Sequence, residues 1–331
     1  MRSNLAARPR AAARVRESVR TAILSELATA SKAVLSAEAL STFPSRSVEQ
    51  LRHDLESIGY SDFHVVLYIR DPAEYYLSVI QENLKQPIDP PLVLDPLSFR
   101  YRFREIAETW AQVFPGRLLV RKFTTDPRHD VIDDFNAVLQ QSLGVSLPRV
   151  DVRLNTSLSA EGMQILQDYR ETFRPDTVLM TPDVRQITSF LGQSIEKVPQ
   201  TRPVLKPAVA DAIRANHRAD AEAVHCRYGV DLGLDGYSPA GTASTRQSYR
   251  VEDIVSLVDP QIVNQLLLLL ANTELGRSPA VRSLPRPIVV RSLPRRTAAW
   301  VYWSMPPSLR PNFVAARFQG TRRRQRGRLI T

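Results

Sequence analysis

Residues 64–70 read His-Val-Val-Leu-Tyr-Ile-Arg, an uninterrupted β-branched and aromatic run closed by Asp71 and Pro72. A run without polar alternation is the mark of a strand buried on both faces, as in a parallel sheet covered by helices. Helical periodicity follows directly over 73–85, with Pro72 at the first turn, where its missing N–H costs nothing. The pattern then repeats: a helix over 99–114, a turn at Pro115 and Gly116, and an apolar strand over 118–123. Helix and strand in strict alternation predict an α/β domain with a mainly parallel sheet.

Around this core the sequence is mostly helical. Val15, Val19, Ile23 and Leu27 recur every four residues and predict an amphipathic helix over 11–31. Its Arg-rich, acid-poor start also resembles a transit peptide. A second helix is expected over 47–58, with Gly59 as its C-terminal cap. After Asp130 helices are expected over 131–143, 160–173, 207–228 and 251–272, giving a helical C-terminal half. Beyond Gly276 periodicity fails and the hexapeptide Val-Arg-Ser-Leu-Pro-Arg occurs twice, so 1–275 reads as the domain and 276–331 as a flexible, Arg-rich tail.

The formal charge of +10 hides two unlike regions. Residues 276–331 carry 13 Arg and no acidic group, and residues 1–20 carry six Arg against Glu17 alone. The body between, 21–275, holds 25 basic against 33 acidic residues, which is not the footprint of a folded nucleic-acid-binding module. Nucleic-acid binding is therefore an expectation for the tail at most, through Arg322–Arg324, Arg326 and Arg328, with Trp300, Tyr302 and Trp303 for stacking. The lone Cys226 excludes an intrachain disulfide and a cysteine-rich metal site. The longest apolar run, 266–271, is far short of the roughly 20 residues of a membrane span. With no signal or membrane segment, the expected location is the cytoplasm.

The chemistry centres on Arg70, which emerges at the carboxyl end of the predicted strand, where ligands bind in open parallel sheets. Ser78 follows eight residues later, about two helical turns on. A guanidinium fork and a hydroxyl at this spacing can clamp a phosphate. The alternative is an Arg70 that simply pairs with a nearby carboxylate at the end of a core strand.

Taken in order along the chain, these segments resemble the sulfotransferases that use 3′-phosphoadenosine 5′-phosphosulfate, in particular their bacterial members. Arg70-Asp71-Pro72 with Ser78 matches the family's 3′-phosphate motif. Val34–Leu40 looks like its second strand with a Ser-x-Glu ending, and 118–123, Asp134-Phe135, Leu143-Gly144, 155–161 and 217–232 follow in the family's order. The resemblance implies a three-layer fold related to P-loop nucleoside triphosphatases, with the sulfate donor held by Arg70 and Ser78. It further implies sulfonate transfer to a hydroxyl of a carbohydrate or other small acceptor, without a metal. Glu38, at the end of the expected second strand, is the candidate catalytic base; a capping or buried carboxylate is its alternative role. Of the five histidines, His53, His64, His129, His217 and His225, none has the spacing of a triad or metal site.

The sequence departs from the family at one point. Among its 12 glycines only Gly236 and Gly241 have the spacing of a phosphate loop, and they lie far from any N-terminal strand and without a Lys. The expectation is thus a sulfotransferase-like fold lacking its first strand and 5′-phosphosulfate loop. Because that strand would sit in mid-sheet, its loss would leave neighbours with unpaired backbone groups, each costing on the order of 1–3 kcal/mol. Three explanations stand open: a start further upstream, a second chain that completes the sheet, or a degenerate, non-catalytic homologue. The intact strands and clamp residues favour the first two.

Overall fold

The computed structural model describes residues 9–86, 91–124, 130–148, 157–173, 182–237 and 248–273. They form an α/β protein, mostly helical, with one small parallel sheet. The chain divides into two compact units: Met1–Tyr76, Pro96–Val152 and Asp211–Ala243 make the first, and Leu77–Asp95, Arg153–Ala210 and Ser244–Thr331 the second. The expected tail, 276–331, and the loop around Gly241 lie outside the described residues.

The first unit holds the sheet. Strand β1 (Val65–Ile69) pairs in parallel with β2 (Leu118–Lys122), Val65 facing Leu118 and Ile69 facing Lys122. The ladder runs on past both ends, from the Val65 N–H to the Arg117 carbonyl and from the Phe123 N–H to the Ile69 carbonyl. The two strands the sequence predicts are thus direct neighbours, and no vacant strand position separates them. The wider sheet is not present among the described residues, and β1 is half-buried along most of its length, with only Ile69 fully enclosed. Ile69 and Val120 pack with Phe103 and Ala107, and with Ala221, Val224, Leu232 and Leu234 from later in the chain. A second cluster joins Val48 to Trp110, Val113 and Phe114.

One expected strand is corrected. Residues 33–37 pair with no strand among the described residues, and Glu38–Thr42 form a 3₁₀ turn. Val34 and Leu35 are exposed, at 44% and 40%, so neither a ladder partner nor a covering helix fixes them as a strand.

Helices α1 (Pro9–Leu27), α2 (Ser45–Ser57), α3 (Pro72–Lys85), α4 (Phe103–Val113) and α5 (Val131–Leu143) follow the sequence periodicity closely. Asp130 caps α5 by accepting from the Ile132 N–H, and Gly144 closes it at φ 63°, a left-handed turn that a side chain would strain. Tyr68 of β1 and Arg121 of β2 both converge on Asp134 of α5, which ties that helix to the sheet.

The second unit is built around α6 (Ala160–Phe173), which packs against α7 (Pro182–Gln193), the short α9 (Val251–Ile254) and α10 (Pro260–Ala271). Between α7 and α9, α8 (Pro207–Tyr228) runs from this unit into the first. Glu161, Gln164, Gln167 and Arg170 stand three residues apart along α6 and are all buried. Gln164 donates to the Asp168 carboxylate, and the other three serve as backbone clamps. Glu161 accepts from the Thr201 N–H at 3.0 Å and the Asp259 N–H at 3.2 Å. Gln167 accepts from the Val251 N–H and donates to the Tyr249 carbonyl. Arg170 donates to the Asn83 and Gln86 carbonyls, at the C-terminal end of α3, where carbonyls lack helical partners.

The single helix expected over 251–272 is in fact α9 and α10. Pro260 has no N–H to continue a helix and holds Asp259 in an extended conformation (φ −82°, ψ 114°), where its carboxylate caps α10 by accepting from the Gln261 N–H. No helix among the described residues is long and apolar enough to cross a membrane.

Candidate functional site

Asp71 shapes the corner that follows β1. Its Oδ1 accepts from the backbone N–H groups of Ala73 and Glu74 at 2.8 and 3.0 Å, so it is the N-cap of α3, and Pro72 starts the helix. Its Oδ2 accepts from Arg214 Nε at 2.9 Å. Arg214 also lies over the Tyr237 ring, 5.3 Å from its centroid. Both carboxylate oxygens are thereby committed, which makes Asp71 a positioning residue.

Arg70 leaves the carboxyl end of β1 and turns back onto the first turn of α3. Its Nε donates to Glu74 Oε2 at 3.0 Å, and its guanidinium carbon lies 5.3 Å from the centroid of the Phe123 ring. The pairing with a nearby carboxylate, one of the two readings of the sequence, is therefore present. It occupies one edge of the guanidinium only. Among the described residues the two terminal nitrogens have no partner, and the side chain is about a third exposed, at 29%. Ser78 sits in the second turn of α3, half-buried, without a side-chain partner among the described residues. It belongs to the second unit, the division falling between Tyr76 and Leu77 of the same helix.

Glu38 does not stand at the end of a strand. It opens the exposed 3₁₀ turn, yet its negative charge reaches Tyr75 of α3. Burial, and after it that charge, raises the Tyr75 hydroxyl above its ordinary range. Tyr75 stacks on Tyr101, with ring centroids 3.9 Å apart. Burial pushes the Tyr101 hydroxyl up to about 12, against an opposing hydrogen bond from the Arg70 backbone. Both phenols stay protonated near neutrality and can act as neutral hydrogen-bonding groups, not as phenolate bases.

Sequence reasoning missed His217, which is fully buried on α8. The Tyr101 N–H donates to its Nε2 at 2.8 Å, so Nδ1 carries the proton and donates to the Ile213 carbonyl at 2.7 Å. Burial lowers its pKa below the ordinary 6.5. A lowered histidine stabilises the fold fully above its unfolded pKa, and that stability is lost as pH falls through 6.5 toward the folded value. Urea midpoints should therefore drop between pH 8 and pH 5, and His217→Gln should flatten that part of the slope. An unchanged slope would rule out this neutral, buried tautomer. The sequence signal was the i, i+3 spacing of Arg214 and His217 on one helix, legible only once both are known to face the β1 end.

Among the described residues no group of three His, Cys, Asp or Glu side chains is arranged to hold a metal. His129, Asn155 and Thr156 lie outside them. Compared with known proteins, the chain matches no family model, no curated protein and no solved structure.

Chemically, the first unit thus presents a cationic, partly exposed guanidinium at the carboxyl end of a parallel strand. It is oriented by Glu74 and Phe123, beside a helix start fixed by Asp71 and braced by Arg214. Such an arrangement has the charge and the free donors to receive an oxyanion.

Proposed function

We propose that this chain is a sulfotransferase-like protein whose Arg70 receives the 3′-phosphate of 3′-phosphoadenosine 5′-phosphosulfate, with a carbohydrate or other small hydroxylated molecule as acceptor. The observation that carries the reading is Arg70 itself: fixed through Nε, it keeps two terminal nitrogens free of partners among the described residues. Those are the two donors a bidentate phosphate contact needs.

The residues fit one end of the donor. The one glycine pair with phosphate-loop spacing, Gly236 and Gly241, carries no Lys, so the fit covers the 3′-phosphate and no transfer step is derived. When bound, the donor would supply the activated sulfonate. The chain's own contribution is to hold and orient the 3′ end, with Glu38 as the candidate base for an acceptor hydroxyl.

A second reading, a non-catalytic homologue that binds the nucleotide without transferring sulfonate, draws on the same Arg70 and on the lack of a Lys beside Gly236 and Gly241. Calorimetric titration with adenosine 3′,5′-bisphosphate tests both. Binding weakened at least about tenfold by Arg70→Ala supports the shared site, as expected for loss of a charge-assisted bidentate contact. Absence of binding by the folded wild-type chain overturns both readings. Binding without acceptor sulfation selects the second.

A further inference from the structure

The apolar stripe of α1 faces outward. Val15, Val19 and Ile23 are 48, 53 and 45% exposed, although their spacing is that of a core-facing seam. The helix is instead held to the first unit by its other side. Arg20 donates to both oxygens of Asp54, at 2.6 and 2.5 Å, and Asp54 is buried. Leu24 and Leu27 are half-buried, and the Tyr60 hydroxyl donates to the Leu27 and Ala30 carbonyls at the C-terminal end. An alternative in which the stripe packs inward would have to break these tethers.

Charge identifies what the outward stripe suits. Arg14 and Arg16 are exposed on opposite sides of it, and five Arg precede the first acidic residue, Glu17, which is itself paired with Arg20. A narrow aliphatic stripe between arginines, on a helix whose opposite side is fixed to a folded body, matches an anionic bilayer surface. The aliphatic groups enter the acyl boundary while the long arginine stems let the guanidinium groups reach lipid phosphates. A second copy of the chain suits it less well, because a parallel pairing of two such stripes brings Arg14 and Arg16 against their own equivalents. We propose that α1 is a membrane-surface helix that docks the protein on anionic lipid, lying on the bilayer without spanning it.

The test uses the full chain carrying Val19→Cys and Cys226→Ser, with an environment-sensitive fluorophore at position 19. Vesicles of phosphatidylcholine with phosphatidylserine should shift its emission to the blue, and phosphatidylcholine alone should not. Arg14→Glu with Arg16→Glu should weaken partitioning on the order of tenfold or more. Three results would overturn the proposal: no co-sedimentation with anionic vesicles, co-sedimentation with the label still in water, or a blue shift that grows with protein concentration in the absence of lipid. The second would assign vesicle binding to the arginines of 276–331, and the third would make the stripe a contact between copies.

Discussion

Glu161→Ala is expected to lower the unfolding free energy by about 2–6 kcal/mol, because two partly buried backbone donors each lose the charged acceptor that the buried Glu161 supplies, at roughly 1–3 kcal/mol. Those donors are the N–H groups of Thr201 and Asp259, on two different loops. No other side chain of α6 reaches both segments in the described hydrogen bonds. The effect is therefore expected at two places at once, and amide exchange should accelerate at Thr201 and Asp259 together. Glu161→Gln keeps one acceptor oxygen and should cost about half as much. Urea denaturation of the three proteins checks the order; a Glu161→Ala loss below about 1 kcal/mol would mean that the loops are held by something else.

Asp71→Ala should come next, at about 2–4 kcal/mol. Loss of an N-cap costs about 0.5–2 kcal/mol, and the partly buried Arg214 loses its carboxylate. At pH 7, Asp71→Asn keeps an oxygen for the Ala73 and Glu74 N–H groups while removing the negative charge beside Arg214, so it separates the two contributions. Under the proposed function the alanine variant also weakens adenosine 3′,5′-bisphosphate binding severalfold, since a frayed α3 start no longer fixes Glu74 against Arg70. Equal stability of the alanine variant and the wild type in urea would contradict this account.

The sequence made the main elements legible because the signals there are local. The Val65–Ile69 run, Pro72, the Asp130 cap and the Gly144 stop each act within a few residues, and the helices 131–143, 160–173 and 207–228 lie where periodicity puts them. Signals that depend on distant partners were misread. Val34 and Leu35 have a strand's composition but lack a neighbour to bond. The α1 stripe has the spacing of a core seam, but the ion pair of Arg20 with Asp54 and the Tyr60 hydroxyl, both partners 30 or more residues away in sequence, hold the other side inward. Helix α7 was not anticipated, although Val184, Ile187 and Leu191, all buried, carry its periodicity behind Pro182.

The candidate site divides in the same way. Arg70 and the Asp-Pro corner could be placed from sequence because strand, cap and helix are contiguous. Glu74 as the partner of Arg70 was within reach, four residues on in an ion-pairing helical position. Arg214 and His217 were not, since they come from α8, far along the chain, and only folding brings them beside Asp71 and Tyr101.

The pairing of β1 with β2 also bears on how the molecule reaches this state. Val65 and Leu118 are about fifty residues apart, and nothing between them can close that loop as cheaply as a hairpin would. Helices α3 and α4 can form early from local contacts, whereas the parallel ladder must wait for the ends to meet. Because the Phe123 N–H bonds the Ile69 carbonyl in the last rung, Phe123 reaches Arg70 only when the ladder is complete. The Arg70 corner is thus among the last features to appear during refolding, and under the proposed function nucleotide binding should lag behind the recovery of helical circular dichroism.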